Sequence, residues 1–544
     1  MTARHPRRTI FWTTFAGYAL VGVVLSVGHG ILMGDALSRV QAAQSVLFSR
    51  DPHVAAIGFV FSPLTAIAEL PAVALSPWIP ALTRYGVAGV LMSALFMGGA
   101  AVQIWGIAGD RGVPRWLCVA ATALFALHPM IVIYGANGMS EAPFLFCVCW
   151  AVRRGIRWTH TDDVHDLVAL GSALGLAYLV RYDAALVIFV AAVFVALRSA
   201  VRTRPFDWYR GGVDLTIVAL PGALAFVVWA AAGWLLTGDA FAQFSSSYGN
   251  SAILEQSQYV AQSIPASLAF SAVEVLVLAP ALPLLAPLAT VLAVQRRDLE
   301  VVVAPLILGT VLAFQTLSYA RGLTFGFLRF YICAIPLLVI LVIQLYPARG
   351  QAVSPRPGRF ANTRLGSGPQ SPLAGVAAAA VVLLGFPITV VGLAVPSLSV
   401  QQYSLAALFA DDDDTSQRIA DARRINASFS TERRLNDYLD QLDLPRGSVL
   451  MDTVYGFAVA AASADPDRYV VPSDQDFVTI LDDPAANGVK YILAVPNTDR
   501  GTSDAVNLRY PTIYDNGSDV AALELEIPND GADLPTWRLY RVTT

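Results

Sequence analysis

Asp35, with Arg39 four residues on, stands in the segment GDALSRV just beyond the first long apolar run of the chain. A carboxylate there can take a proton from a hydroxyl, and a guanidinium beside it can grip an anion through its planar fork. Other ionisable residues hold equivalent places, each at the edge of an apolar stretch. They are Glu141 in YGANGMSEAPF, the triplet Arg181-Tyr182-Asp183, and Arg321 and Arg329 in RGLTFGFLRFY. Glu274 enters a further apolar stretch, while His53 and Glu69 share one loop with Asp35. Ionisable groups beside hydrocarbon are costly, so they are usually paired or functional. Each also has a structural reading. Asp35 and Glu141 could cap the helices that follow them, Arg181 and Asp183 could form an ion pair at a hairpin, and Arg329 could extend to a headgroup.

The elements that must position these residues are membrane helices. The chain has 544 residues, 56% hydrophobic and only 14% charged, with a net charge of -4. Soluble chains carry about 25% charged residues, so lipid solvates most of this one, and no nucleic-acid partner is expected. A span needs roughly 20 apolar residues. Such runs lie near 10–30, 82–107, 114–133, 141–156, 165–181, 183–199, 212–236, 268–294, 299–319, 328–346 and 373–396, eleven in all. Arginine placement gives them a direction. With the N-terminus cytoplasmic, the inner segments hold Arg4, Arg7, Arg8, Arg111, Arg115, Arg153, Arg154, Arg157, Arg198, Arg202, Arg204, Arg210, Arg296, Arg297, Arg349, Arg356, Arg359 and Arg364. The outer segments before the tail hold Arg39, Arg50, Arg84, Arg181, Arg321 and Arg329, six against eighteen. The short pair 165–199 fits this as a hairpin tipped at Arg181-Tyr182-Asp183.

The N-terminal run from Ile10 reads as a retained signal anchor. Residues 347–372, rich in Pro, Gly, Ser and Arg, read as a disordered cytoplasmic loop. From about Gln401 the chain turns polar. Arg418 to Leu442 is expected to be a helix, with strands at Ser448–Asp452, Tyr469–Pro472, Val489–Val495, Ala522–Ile527 and Trp537–Val542 and helices at Val454–Ala464 and Phe477–Ala486. Strand–helix alternation predicts a small α/β domain over 401–544, outside the membrane, after a transmembrane domain over 1–400. Cys118, Cys147, Cys149 and Cys333 all lie in apolar stretches and suggest buried small hydrophobes. The Asp411–Asp414 run lacks the spacing of a calcium loop. His128 before Pro129 reads as part of a kinked helix, and Asp452 as the close of a strand–helix turn.

In layout and in short motifs the chain resembles the GT-C type polytopic membrane glycosyltransferases, which take sugars from polyprenyl-phosphate carriers. The acidic residue after the first helix, Met139-Ser140-Glu141, Arg181-Tyr182-Asp183 and Arg329-Phe330-Tyr331 carry the likeness. The first loop lacks the adjacent Asp–Glu pair of the protein O-mannosyltransferases. The resemblance implies a sugar transfer in which the leaving phosphate is itself a weak base, so one carboxylate suffices, unlike the paired acids of glycoside hydrolysis. Asp35 is then the expected base. Arg329, with Arg321 and Arg181, would hold the donor phosphate, and Glu141, Asp183, Arg39 and His53 would serve the acceptor. Glu141 with Asp35 could also bind a divalent metal ion. The expected partners are a polyprenyl-phosphate sugar donor, a glycan or lipid-linked acceptor and the bilayer of the plasma membrane. The arginine-biased, alanine-rich composition hints at an actinobacterial-type envelope. A transporter or lipid flippase would show duplicated halves and mid-membrane ligands, and a non-catalytic assembly subunit would act through the tail.

Overall fold

The computed structural model describes residues 5–202, 205–242, 246, 249, 253–254, 263–347, 372–411 and 413–543. Apart from its ends, the expected loop at 347–372 lies outside the described residues, as do Arg4, Arg204, Arg349, Arg356, Arg359 and Arg364. The first half is helical: α1 (His5–Val23, continued by a π turn, Val24–Gly28), α2 (Gly34–Phe48), α3 (Leu64–Val73), α4 (Ala81–Arg84), α5 (Val87–Arg111), α6 (Arg115–Ala126), α7 (Pro129–Ala136), α8 (Glu141–Thr161), α9 (Val164–Val180) and α10 (Ala184–Ala200). Then follow α11 (Trp208–Thr237), α12 (Ile264–Leu278), α13 (Leu282–Arg296), α14 (Glu300–Ala320), a 3₁₀ turn Leu328–Tyr331, α15 (Ala334–Gln344), α16 (Pro372–Leu383) and α17 (Gly385–Leu393).

All eleven apolar runs fall on helices, but not all are unbroken spans. Pro6–Gly28, Val87–Arg111, Trp208–Thr237 and Glu300–Ala320 are long and apolar enough to cross a membrane. Two bent pairs would raise the number to six: α6 with α7, at 63°, and α12 with α13, at 81°. Proline explains both bends, because Pro129 and Pro280 withhold the amide a continuous helix needs. Helix α8 is long enough but carries Glu141, Arg153, Arg154 and Arg157. Helices α9 and α10 meet at residues 181–183. The central α5 is buried along most of its length, whereas α11 exposes Val227, Val228, Trp234 and Leu235. An apolar face of that extent is stable only against hydrocarbon. The chain is a membrane protein.

At the bundle end away from Asp35, several arginines are tied to acids. Arg111, 3% exposed, donates to Asp298 Oδ2 at 2.7 Å and Glu300 Oε2 at 2.8 Å, and caps the carbonyls of Gln344 and Tyr346. Arg153 pairs with Asp110, and Arg154 and Arg157 with Asp166. Removing Arg111 strands the buried Asp298 and leaves Glu300 with only His160. Arg111→Met is therefore expected to cost about 3–5 kcal/mol, read as a lower unfolding temperature in detergent; an unchanged temperature would refute the pairing.

The polar tail builds α18 (Gln417–Asn426), α19 (Ser430–Gln441), β1 (Val449–Leu450), α20 (Thr453–Ala462), β2 (Tyr469–Val470), α21 (Phe477–Asp482), β3 (Tyr491–Ala494), α22 (Ala505–Arg509), α23 (Ile513–Asn516), β4 (Ala521–Ile527) and β5 (Trp537–Val542). The sheet runs β2-β1-β3-β5-β4, parallel across β2-β1-β3 and antiparallel beyond. Side chains alternate across it. Val449, Tyr491, Leu493 and Leu539 pack with Leu435 and Leu439 on one face, and Leu450, Ile492 and Tyr540 with Ile480 and Val506 on the other. The single helix expected over 418–442 is broken at Phe429, which takes a left-handed backbone (φ 64°). That break turns the Phe429 ring onto Phe457, 5.4 Å away, and toward Gly34. The tail thus sits on the start of α2. Arg50–Asp474, the two-pronged Arg84–Asp437 pair (2.7 and 2.8 Å) and Gln44 to the Ser463 carbonyl hold it there.

Candidate active site

Asp35 lies in the first turn of α2, whose N-cap Met33 makes no side-chain cap. Asp35 is not a cap either. Its Oδ2 accepts from Arg329 Nη2 at 3.0 Å, while its carbonyl accepts from Arg39 Nη1 at 3.0 Å. The opposite side of the helix, through Leu37, Val40 and Ala43, is buried and fixes its rotation. The Asp35 side chain keeps 51% of its surface exposed, so a solute can reach it, whereas that of Arg329 keeps 8%.

From Arg329 the charges alternate inward. Arg329 Nε faces Glu141 Oε1 at 3.8 Å, and the same oxygen accepts from Arg181 Nη1 at 3.3 Å. Arg181 Nη2 donates to Asp183 Oδ2 at 3.0 Å, and Gln315 Nε2 donates to that oxygen at 2.9 Å. Both guanidiniums lie against the Phe330 ring, 5.2 and 5.3 Å from its centre. Such stacking suits arginine rather than lysine. Glu141 is 2% exposed and opens α8 without capping it. Among the described residues, Arg329 Nε and Glu141 Oε2 have no hydrogen-bond partner, an open donor and an open acceptor inside the row.

Electrostatics keep Asp35 ionised. Its dense surroundings push the carboxyl up, but Arg329, Arg39 and the more distant Arg500 outweigh them and hold it below the usual carboxylate range. Arg500 comes from the tail, so that segment adds positive potential to the site. Glu69 behaves oppositely. On α3 it is 0% exposed, both oxygens are unpartnered among the described residues, and burial drives it well above the ordinary range despite the charge of Arg39. It is lodged where Gly89 leaves room; a methyl there would come within 3.3 Å of Oε1.

Five of the expected site residues, Asp35, Arg329, Glu141, Arg181 and Asp183, form this one row, and Arg39 adjoins it. Two stand apart. Arg321, at the C-terminal end of α14, is exposed and makes no ion pair with the row among the described residues. His53 turns its Nδ1 to the Asp51 carbonyl at 2.6 Å, in the loop where Asp51 receives the Gln475 amide. Gln315 and Arg500 carried no sequence signal, since each joins the site only through folding. The Asp35–Glu141 pair does not fit a resident divalent metal as it stands, because the Arg329 guanidinium occupies the space between the carboxylates. Among the described residues no group of three or more His, Cys, Asp or Glu side chains is placed to hold a metal ion.

The bundle of apolar helices with a row of alternating charges at one end is similar in fold to a GT-C type membrane protein. A family model described as dolichyl-phosphate-mannose-protein mannosyltransferase matches residues 82–229. ArnT from Cupriavidus metallidurans, solved bound to undecaprenyl phosphate, superposes with a TM-score of 0.56 at 13% identity, over 99% of this chain and 98% of that one. That likeness establishes the shared fold. The oligosaccharyltransferase AglB from Archaeoglobus fulgidus, in complex with an inhibitory peptide and a dolichol-phosphate, gives 0.41 at 11% identity over 98% and 74% of the two chains. At that score it adds nothing to the argument. No curated protein matches the sequence.

Proposed function

We propose that this chain is a membrane glycosyltransferase that moves a sugar from a polyprenyl-phosphate donor to a hydroxyl of a cell-envelope glycan, lipid or protein on the extracytoplasmic face. The N-terminus would then be cytoplasmic, and residues 401–544 an extracytoplasmic α/β domain over the transmembrane domain of residues 1–400. The observation that carries the reading is the reachable Asp35 carboxylate hydrogen-bonded to the buried Arg329 at the mouth of an apolar bundle.

In the resting protein that bond makes Asp35 a poor base. A donor phosphate entering the row takes Arg329 as its partner, using the free Nε as well, and releases Asp35. The acceptor oxygen then attacks the anomeric carbon, its proton passes to Asp35, and the bond to phosphate breaks with its electron pair going to the phosphate oxygen. Arg329 neutralises that oxygen, with Arg181 and Arg39 nearby. Electrostatic stabilisation of this kind is commonly the largest catalytic contribution. The donor therefore arms its own base.

The sign of the pH effect follows. In the free enzyme Asp35 sits below the usual carboxylate range, so kcat/KM stays level as pH falls until that low value is crossed. With donor bound, Arg329 is shared with phosphate and Asp35 rises, so kcat fails at a higher pH than kcat/KM does. Release of polyprenyl phosphate by the purified protein, measured against pH at low and saturating donor, tests this. Coincident acid limbs would remove the exchange step. No release from mannosyl or arabinosyl polyprenyl phosphates, with counterflow of a solute in vesicles, would favour transport instead.

A further inference from the structure

The parallel strands β1 and β3 lie side by side in the tail, yet the helices that follow them leave to opposite faces. Val459 and Ala460 of α20 pack with Val449 and Leu493, whereas Val506 of α22 packs with Leu450 and Ile492. A crevice opens between the strand ends where the two helices part, and in open α/β sheets ligands bind at such a parting. Asp452, at the end of β1, spans it. Its Oδ1 accepts from the Val454 amide at 2.7 Å and its Oδ2 from the Ala505 amide at 2.8 Å. Asp504 Oδ1 accepts from the Val506 and Asn507 amides at 2.9 and 3.2 Å. Burial and the neighbouring Asp452 carboxylate push the Asp504 carboxyl up to about 8. Both acids are taken up in shaping the crevice.

Arg500 stands at this crevice, in the turn Asp499–Ser503 that follows β3. The turn is tight: a Cβ at Gly501 would collide with the Pro496 carbonyl, and Asp499 takes a left-handed φ of 50°. It lays the Arg500 guanidinium 5.5 Å from the centre of the Tyr455 ring, on the first turn of α20. Phe457, two residues on, packs toward Gly34, which precedes Asp35. The crevice thus lies beside the reacting carboxylate, and the Arg500 charge reaches it. Arg500 is half-buried, and among the described residues its side chain makes no ion pair or hydrogen bond. Arg468, Arg509, Arg538 and Arg541 of the tail, by contrast, each pair with an acid. Asp35 does not serve as the missing partner, because Arg329 holds it at 3.0 Å. A guanidinium that is stacked but unpaired keeps its planar fork for an incoming oxyanion.

We infer that Arg500 binds an oxyanion of the acceptor, so that the sugar goes to an acidic glycan or glycolipid rather than a neutral one. The inference rests on the glycosyltransferase reading and gives the tail a part in substrate selection. Saturation-transfer NMR on the full-length protein in detergent tests it, with undecaprenyl phosphate added to occupy the row of charges. The probes are methyl α-mannopyranoside, its phosphorylated form and methyl glucuronide, and the last two tell a phosphate from a carboxylate. At least one acidic glycoside should bind about tenfold more tightly than the neutral one, and Arg500→Gln should abolish that preference. Arg500→Lys, which keeps the charge but not the fork, should retain part of it, and added salt should weaken it. Matched unfolding temperatures check that both variants are folded. Absence of acidic binding to the wild type, equal binding of all probes, or a preference that survives in Arg500→Gln overturns the assignment. So does a glutamine form that shifts the acid limb of kcat/KM yet keeps the acidic preference, since its charge then acts only through Asp35. Should the preference depend on Arg500 while no donor is turned over, the anion site stands and the glycosyltransferase reading falls.

Discussion

Asp35→Asn is expected to fold, to keep its donor affinity and to release polyprenyl phosphate about 10²–10⁴-fold more slowly than the wild type. The amide is nearly the same size as the carboxylate and can still accept from Arg329, so the 3.0 Å contact survives in weakened form. With 51% of the side chain open, little packing is at stake. What disappears is the capacity to take a proton. The comparison is single-turnover release, with donor affinity measured separately to keep binding and chemistry apart. An asparagine form that turns over at the wild-type rate removes Asp35 from the mechanism. One that loses donor affinity alone recasts it as a binding group.

Arg329→Met should harm both activity and stability, which makes it the second large effect. Losing the phosphate partner is expected to lower kcat/KM about 10²–10³-fold, the scale seen when one oriented donor is removed from a charge-developing site. Glu141, 2% exposed, then retains only Arg181 across 3.3 Å. A buried carboxylate deprived of a partner typically costs 3–5 kcal/mol, and the surviving arginine puts this case at about 3 kcal/mol. Arg329→Lys separates the two losses. Lysine restores the charge beside Glu141 but not the planar fork stacked on Phe327 and Phe330, so stability should recover further than activity. Thermal unfolding and donor turnover on the same preparations decide it. Wild-type turnover by the methionine form would exclude Arg329 as the phosphate ligand.

Much of this molecule was legible along the chain because solvation acts locally. Runs of Val, Leu and Ala must leave water wherever they end up, so the apolar segments and the polar tail stand out in one dimension. An ionisable residue at the edge of such a run is costly for the same reason, which is how Asp35, Glu141, Arg181, Asp183 and Arg329 emerged together. The strands of the tail showed as short apolar runs, because the sheet is packed on both faces.

Partnership is a different matter. Asp35 and Arg329 are 294 residues apart, and whether two helix tips meet within 3.0 Å depends on how helices rotate and tilt against one another. Arg321 and Arg329 share one stretch of sequence, yet only Arg329 lies on the turn that faces α2; His53 and Glu69 share one loop, yet only Glu69 is sealed beside Gly89. The break at Phe429 and the reach of Arg500 toward Asp35 arise from docking the tail on α2. Which residues border the membrane is a property of the chain alone. Which carboxylate stays charged and reachable was settled by packing, since burial and the distance to an arginine exist only once the helices have come together.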